Sequence, residues 1–157
     1  MNIKTKVVVI VEAEDGRVLL IKENLDKKPV PLWNIIKGSY EGGETIFEAA
    51  CRECQEESQL NVKLINSLGV YISEEKEKIR MQFNFLARAS NPSDANVVSR
   101  EEQALRNEAI EEVRWFTREE IMSMDENEFV STRSYSLIQD WLSDKKYPLK
   151  IYRQVKM

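Results

Sequence analysis

The sequence predicts an α/β (α+β) domain in which helices pack on a sheet. Three observations predict it. Val7 to Val11 and Val18 to Ile21 are unbroken β-branched and leucine runs with strand character. Arg80 to Ala89 alternates at period two. Two segments, opening at Thr45 and at Ser131, combine a helix-start residue with apolar positions at helical spacing. A chain of 157 residues has the length of one domain with a real core, so residues 1–157 are read as a single unit.

The elements follow in order. Residues 5 to 12 predict a central strand. Glu14-Asp15-Gly16 supplies a turn, and Arg17 to Lys22 a second strand, so the pair reads as a hairpin. Asn24 to Pro31 is polar and proline-bearing, hence a loop. Leu32 to Ile36 predicts one short strand, and Gly38 to Glu44 a glycine-rich loop. Thr45 with Glu48 three positions on is a capping box, in which each side chain satisfies a free N–H at a helix start. Val62 to Tyr71 is extended, and Ser73 to Lys78 is a charge run expected as a solvated turn. In Arg80 to Ala89, Met81, Phe83, Phe85 and Ala87 face one way and Arg80, Gln82 and Asn84 the other, the pattern of a half-buried strand. Asn91 to Asn107 is a polar connection with room for a short helix capped by Ser99 and Glu102. Ala109 to Phe116 is a final strand. Thr117 to Glu120 starts a short helix, and a longer one runs from about 131 to 144 with Tyr135, Leu137, Ile138, Trp141 and Leu142 as its apolar residues.

Composition narrows the function classes. The net charge of −4 argues against a broad nucleic-acid-binding surface, which would carry a basic patch. No apolar run approaches the roughly 20 residues of a membrane span. The apolar start is cut off by Glu12 with no small-residue cleavage site after it, so it reads as a strand and the cytoplasm is the expected location. The chain has no histidine, which removes Ser-His-Asp and Cys-His catalysis. Cys51 and Cys54 form a C-x-x-C, but there are no other cysteines to complete a zinc site, and both lie well inside the predicted helix. They are read as structural filling. A phosphate-cradling ATPase loop is excluded, because Gly42-Gly43 is not followed by Lys-Ser or Lys-Thr.

One stretch points to chemistry. Arg52 to Leu60 reads R-E-C-Q-E-E-S-Q-L. At about 100° per residue, Glu53, Glu56 and Glu57 share one helix face, beside the face that buries Ile46, Phe47, Ala50 and Cys54. Solvated like charges at this spacing cost a few tenths of a kcal/mol. At about 6 Å and an effective dielectric near 20, each pair costs about 3 kcal/mol. A hard divalent cation relieves that cost when the face lines a cleft. A solvated acidic face is the other reading of this triplet.

Extended to Gly38 through Leu60, the stretch is G-S-Y-E-G-G-E-T-I-F-E-A-A-C-R-E-C-Q-E-E-S-Q-L. It resembles the Nudix box, G-x5-E-x7-R-E-U-x-E-E-x-G-U, with U a bulky apolar residue. Gly38, Glu44, Arg52, Glu53, Glu56 and Glu57 match in one register, with chance odds on the order of one in ten million at ordinary residue usage. Trp33 to Gly38 is similar to the family's W-x-x-P-K-G lead-in. The box glycine is replaced by Gln59; glycine there would end the helix in a left-handed conformation, which costs a residue with a Cβ about 1 kcal/mol, so the change touches helix termination and not the acids, and activity is expected to survive. The lead-in proline is replaced by Ile36.

The resemblance implies an α/β/α sandwich around a mixed sheet, and hydrolysis of a nucleoside diphosphate linked to another group, or of a related small diphosphate, by water attacking phosphorus. It implies that Glu53, Glu56 and Glu57 hold one or more magnesium ions, with manganese as the alternative, and that the Gly38 carbonyl is a further ligand. Either Glu53 or a later glutamate activates the water. Glu108, Glu111 and Glu112 are candidates for the latter, and Glu108, furthest back in the loop, is preferred. Arg52 orients Glu53, and Glu44 ties loop to helix. Lys37, Arg80 and Lys22 are candidate phosphate contacts. The alternative function is a Nudix-type module that senses a nucleotide without cleaving it, but loss of box acids would mark that case. No downstream marker for ADP-ribose, dinucleoside polyphosphates or NADH is present. Expected partners are small molecules, with neither polymeric nucleic acid nor membrane, and a homodimer through a sheet edge or the last helix is compatible with the sequence.

Overall fold

The computed structural model describes residues 1–155; residues 156 and 157, inside the single unit expected above, lie outside the described residues. Among the described residues, seven strands form one mixed sheet. They are β1 (Asn2–Glu12), β2 (Val18–Glu23), β3 (Leu32–Asn34), β4 (Ile36–Ser39), β5 (Val62–Glu75), β6 (Lys78–Ala89) and β7 (Ile110–Phe116). The order is β3-β2-β1-β6-β5, with β4 also paired to β1 and β7 to β2. β1 and β6 run parallel from Asn2↔Lys78 to Glu12↔Arg88. The other pairs are antiparallel.

Strand alternation sends residues to two separate cores. Val7, Val9 and Val11 of β1 and Phe85 and Ala87 of β6 meet helix α1 (Ile46–Ser58) through Ile46, Ala49, Ala50 and Cys54. Val8 and Ile10 of β1 and Leu86 of β6 meet α3 (Arg118–Met122) and α4 (Thr132–Leu142) through Ile121, Leu137, Ile138 and Trp141. The result is a three-layer α/β/α sandwich. Ile10, Leu20, Leu137 and Ile138 are fully buried, and each contributes about 1.5–3 kcal/mol by leaving water.

The helix starts follow local chemistry. Thr45 Oγ1 accepts from Glu48 N–H at 3.1 Å and Glu48 Oε1 accepts from Thr45 N–H at 3.2 Å, the reciprocal box. Thr117 and Glu120 repeat it ahead of α3. Ser99 caps the short helix α2 (Arg100–Leu105) by accepting from Glu102 N–H. Gln59 ends α1 at φ +63°, in the left-handed conformation a glycine would take without cost, with its N–H donating to Gln55 O at 2.9 Å.

Three expectations need correction. Leu32 to Ile36 is not one strand: β3 pairs with β2, and the chain then crosses to pair β4 with β1. Asn34 makes the break, because its Oδ1 accepts from Ile35 N–H at 2.9 Å in place of a ladder partner. The charged run Ser73 to Lys78 is mostly strand, with pairing to Glu75↔Lys78 and a turn confined to Lys76 and Glu77. A ribbon projecting beyond the core solvates charges on both faces, so polarity there does not signal a loop. β6 is covered on both faces: Gln82 and Asn84 are buried, and Gln82 Nε2 donates to Asn84 Oδ1 at 2.8 Å.

Candidate functional site

Helix α1, strand β4 and the loop between α2 and β7 converge on a cavity of about 990 Å³. α1 supplies Glu53 and Glu57, both buried, and the half-buried Glu56. The loop supplies Glu108. One carboxylate oxygen from each of Glu53, Glu56 and Glu108 falls within 4.8 Å of the others. Neither of the other two late glutamates joins them: Glu111 is exposed, and Glu112 pairs with Arg114 at 2.9 Å.

Glu57 stands differently from its two box partners. Its Oε1 accepts the Lys37 N–H at 2.8 Å, tying α1 to β4. Gly38 follows, and the reason for glycine is steric: a Cβ there would lie 1.9 Å from Glu53 Cδ. The missing side chain is the space in which the Glu53 carboxylate sits.

Arg52 organises the acids. Its Nε and Nη2 grip the Glu44 carboxylate at 2.7–3.1 Å. Its Nη1 donates to Glu53 Oε1 at 2.8 Å and to Glu56 Oε2 at 3.2 Å. One guanidinium thus joins the end of the glycine loop to two acids of the helix, as a planar five-donor fork allows. These bonds raise its pKa, with Glu44 the largest cause.

Burial governs the acids themselves. It pushes Glu53 up to about 7, against the lowering influence of Arg52. It raises Glu57 well above the ordinary carboxylate range and raises Glu108 as well. Buried acids held this close to one another favour either protons or a metal cation. The site fits a hard divalent ion: its donors are all oxygens, and Glu108 Oε2 is buried with no hydrogen-bond partner among the described residues.

Lys6 and Lys37 line the same cavity. Lys6 Nζ donates to Ser39 Oγ at 2.8 Å, and burial lowers the pKa of both lysines. Two other expected phosphate contacts lie off the lining. Lys22 sits over the Trp33 ring at 5.3 Å, because period two turns it to the face opposite Glu23, which does line the cavity. Arg80 is paired with Lys4 further out along the sheet, and its charge depresses Lys6 and Lys37 from there.

Sequence reasoning missed Lys6 and Arg106. Lys6 belongs to an alternation with Lys4 at the polar start of an otherwise apolar strand, and no spacing tied it to the box. Arg106 lay in the polar connection. The signal available was R-N-E at 106–108, since asparagine tolerates the left-handed turn that Asn107 makes at φ +54°.

The NUDIX domain pattern matches residues 3–138. A relative from Bacillus subtilis, named a putative 8-oxo-dGTP diphosphatase, is 43% identical over 63 residues, which span 40% of this chain and 40% of that protein. A NUDIX hydrolase from Nitrosomonas europaea superposes with a TM-score of 0.75 at 22% identity, covering 97% of both chains. A MutT protein from Methanosarcina mazei superposes at 0.67 and 18% identity, covering 92% of this chain and 97% of that one. These two likenesses carry the fold. A capped helix presenting R-E-x-x-E-E above a glycine, in an α/β/α sandwich, is the arrangement of a Nudix hydrolase. The chain belongs to the NUDIX family.

Proposed function

We propose that this chain is a divalent-metal-dependent pyrophosphohydrolase acting on a nucleoside diphosphate derivative or a related small diphosphate. The observation that carries the reading is the oxygen cluster of Glu53, Glu56 and Glu108, in a cavity that Lys6 and Lys37 also line. Acids for a cation and amines for phosphate oxygens are the two needs of phosphoryl transfer to water.

Glu53 and Glu56 hold magnesium or manganese, with Glu57 and the Gly38 carbonyl beside them. When bound, the cation neutralises charge on the diphosphate and acidifies a water. Arg52 keeps Glu53 and Glu56 aimed, and Glu44 keeps Arg52 in place. Glu108 approaches from a separate loop with a free carboxylate oxygen and is the base that takes the proton from the attacking water. Lys6 and Lys37 bind the phosphates. The chain works as one domain, since among the described residues one sheet packs α1 on one face and α3 and α4 on the other. No helix among the described residues is long and apolar enough to cross a membrane, and the free thiols of Cys51 and Cys54 suit the reducing cytoplasm.

The test is phosphate and pyrophosphate release across a panel of nucleotides and diphosphates, with magnesium and with chelator. The name of the Bacillus relative puts 8-oxo-dGTP first in that panel. Magnesium-dependent release from one class is expected. Glu108→Gln should lower kcat by about a hundredfold or more, in line with loss of a general base, and should weaken metal binding less than the loss of a box acid does. Glu56→Gln should lose both. Binding of a nucleotide with no turnover by folded protein would replace this reading with the sensor one.

A further inference from the structure

The site contains two arginines, and they are held in unlike ways. Arg52 makes aligned hydrogen bonds to three carboxylates. Arg106 lies at longer charge-pairing distance from three carboxylates, Glu56 being shared with Arg52: its Nε is 3.4 Å from Glu108 Oε1 and 3.9 Å from Glu56 Oε2, and its Nη2 is 3.9 Å from Glu102 Oε2. Its Nη2 donates to a neutral acceptor, the Glu56 backbone carbonyl, at 3.1 Å. The Nε itself is buried with no well-aligned hydrogen-bond partner among the described residues, and so is Glu108 Oε2 beside it. A buried donor and a buried acceptor, adjacent and both unsatisfied, describe an arrangement stabilised by charge and not by fit.

The backbone around Arg106 is held by hydrogen bonds, but the side chain before it does not pack. Gln103, buried, accepts from Ile110 N–H and donates to the Val98 and Ile110 carbonyls, stapling the ends of the loop together. Asn107 turns left-handed and so brings Arg106 and Glu108 to the same cavity. Leu105, the residue before the arginine, is 88% exposed, so its side chain does little to pin this turn. Glu102, 59% exposed, waits on the solvent side of the guanidinium.

We propose that Arg106 is an internal counter-cation: it balances Glu56 and Glu108 in the metal-free protein, yields them when a divalent ion binds, and then faces the diphosphate from the α2–β7 loop. This rests on the metal-hydrolase reading above. Two positive centres compete for the same carboxylates, and a divalent ion wins because it carries twice the charge and takes direct oxygen contacts. The displaced guanidinium keeps Glu102 as a partner and gains phosphate oxygens, which its planar fork suits. Arg106 is therefore a positioning residue for the acids before metal enters and a substrate contact afterwards.

The experiment measures Mn2+ binding by electron paramagnetic resonance, without nucleotide, in wild type, Arg106→Gln and Arg106→Lys. Removal of the competing charge should tighten Mn2+ binding in Arg106→Gln by about tenfold. Arg106→Lys keeps the charge and should stay near wild type. With the panel substrate at saturating metal, Arg106→Gln should raise KM more than it lowers kcat. Equal or weaker Mn2+ binding by Arg106→Gln overturns the inference and leaves the hydrolase reading standing, because a purely structural arginine would weaken the site when lost. A wild type that binds no Mn2+ overturns the metal reading and this inference with it. Should Arg106→Gln not fold, the wild-type protein provides the same decision. Its Arg106 Nε–H resonance, protected in the metal-free state, should shift and lose protection as Mg2+ is added, and a resonance unmoved through saturation overturns the inference.

Discussion

At the scale of single residues, Gly38 and Glu53 occupy one space. A methyl group at position 38 would overlap the end of the Glu53 side chain, not backbone. Such an overlap is relieved by rotating the carboxylate away, which costs little stability. Gly38→Ala should therefore melt close to wild type, lose Mn2+ affinity and lose about a hundredfold or more in activity, since a misplaced group beside the chemistry is costly. Melting curves, Mn2+ titration and initial rates read these separately. Normal rates in a stable Gly38→Ala protein would show that the observed Glu53 position is not needed. The box residues were legible because a family spacing names them. The physical reason for the glycine was not, since it depends on a strand and a helix meeting through Lys37 N–H and Glu57. Lys6 and Arg106 were illegible for a related reason: each reaches the cavity from an element whose own pattern gives no sign of it.

At the scale of elements, what the sequence reveals divides by range. Helix starts are local, so Thr45, Thr117 and Ser131 mark them directly. The break between β3 and β4 turns on one Asn34 amide that also donates to Glu23 and accepts from Ser134, a hundred residues away. No local pattern encodes that. The burial of Gln82 and Asn84 likewise depends on what packs over the strand, which alternation alone does not say. The C-terminus of α1 offers a direct test. Gln59 holds φ +63° at a cost near 1 kcal/mol that glycine would not bear. It recovers part of this through Nε2 donating to Val97 O at 3.1 Å. Gln59→Gly should thus stabilise the protein by up to about 1 kcal/mol, or about 2–4 °C in Tm. Gln59→Val, which cannot adopt this conformation easily, should destabilise it. Thermal melts of the two variants check the sign, and a less stable glycine variant would mean that the Val97 contact outweighs the backbone cost.

At the scale of the whole molecule, the chain end closes on the site. Tyr152 packs against Phe47, Phe83 and Phe85, and its hydroxyl donates to Gly69 O. Gln154 Oε1 accepts the first helical N–H of α1, at Ile46, and its Nε2 donates to the Tyr40 hydroxyl of the glycine loop. The resemblance, which ran to about residue 125, gave no hint of this return. With helix and loop braced in this way, the acids are kept buried whether or not a cation is present, and global stability must register the cost. Burial lifts Glu53 from 4.5 to about 7 in the folded protein. Between those values the folded chain holds a proton that the unfolded chain has released. The stabilisation is complete below pH 4.5 and is lost as pH rises through 7, and Glu57 and Glu108, raised in the same direction, deepen the loss. In chelator, Tm should therefore fall by several degrees from pH 5 to pH 8, corresponding to about 1–2 kcal/mol after solvent screening. Glu53→Gln, which carries no charge at either pH, should flatten that slope. Millimolar magnesium should raise Tm most at pH 8, where the carboxylates are charged and a cation gains most by binding the folded state. A wild-type Tm that is flat or rising across this window in chelator would mean that the acids are solvated when folded, and the case for a cation would then lose its electrostatic basis.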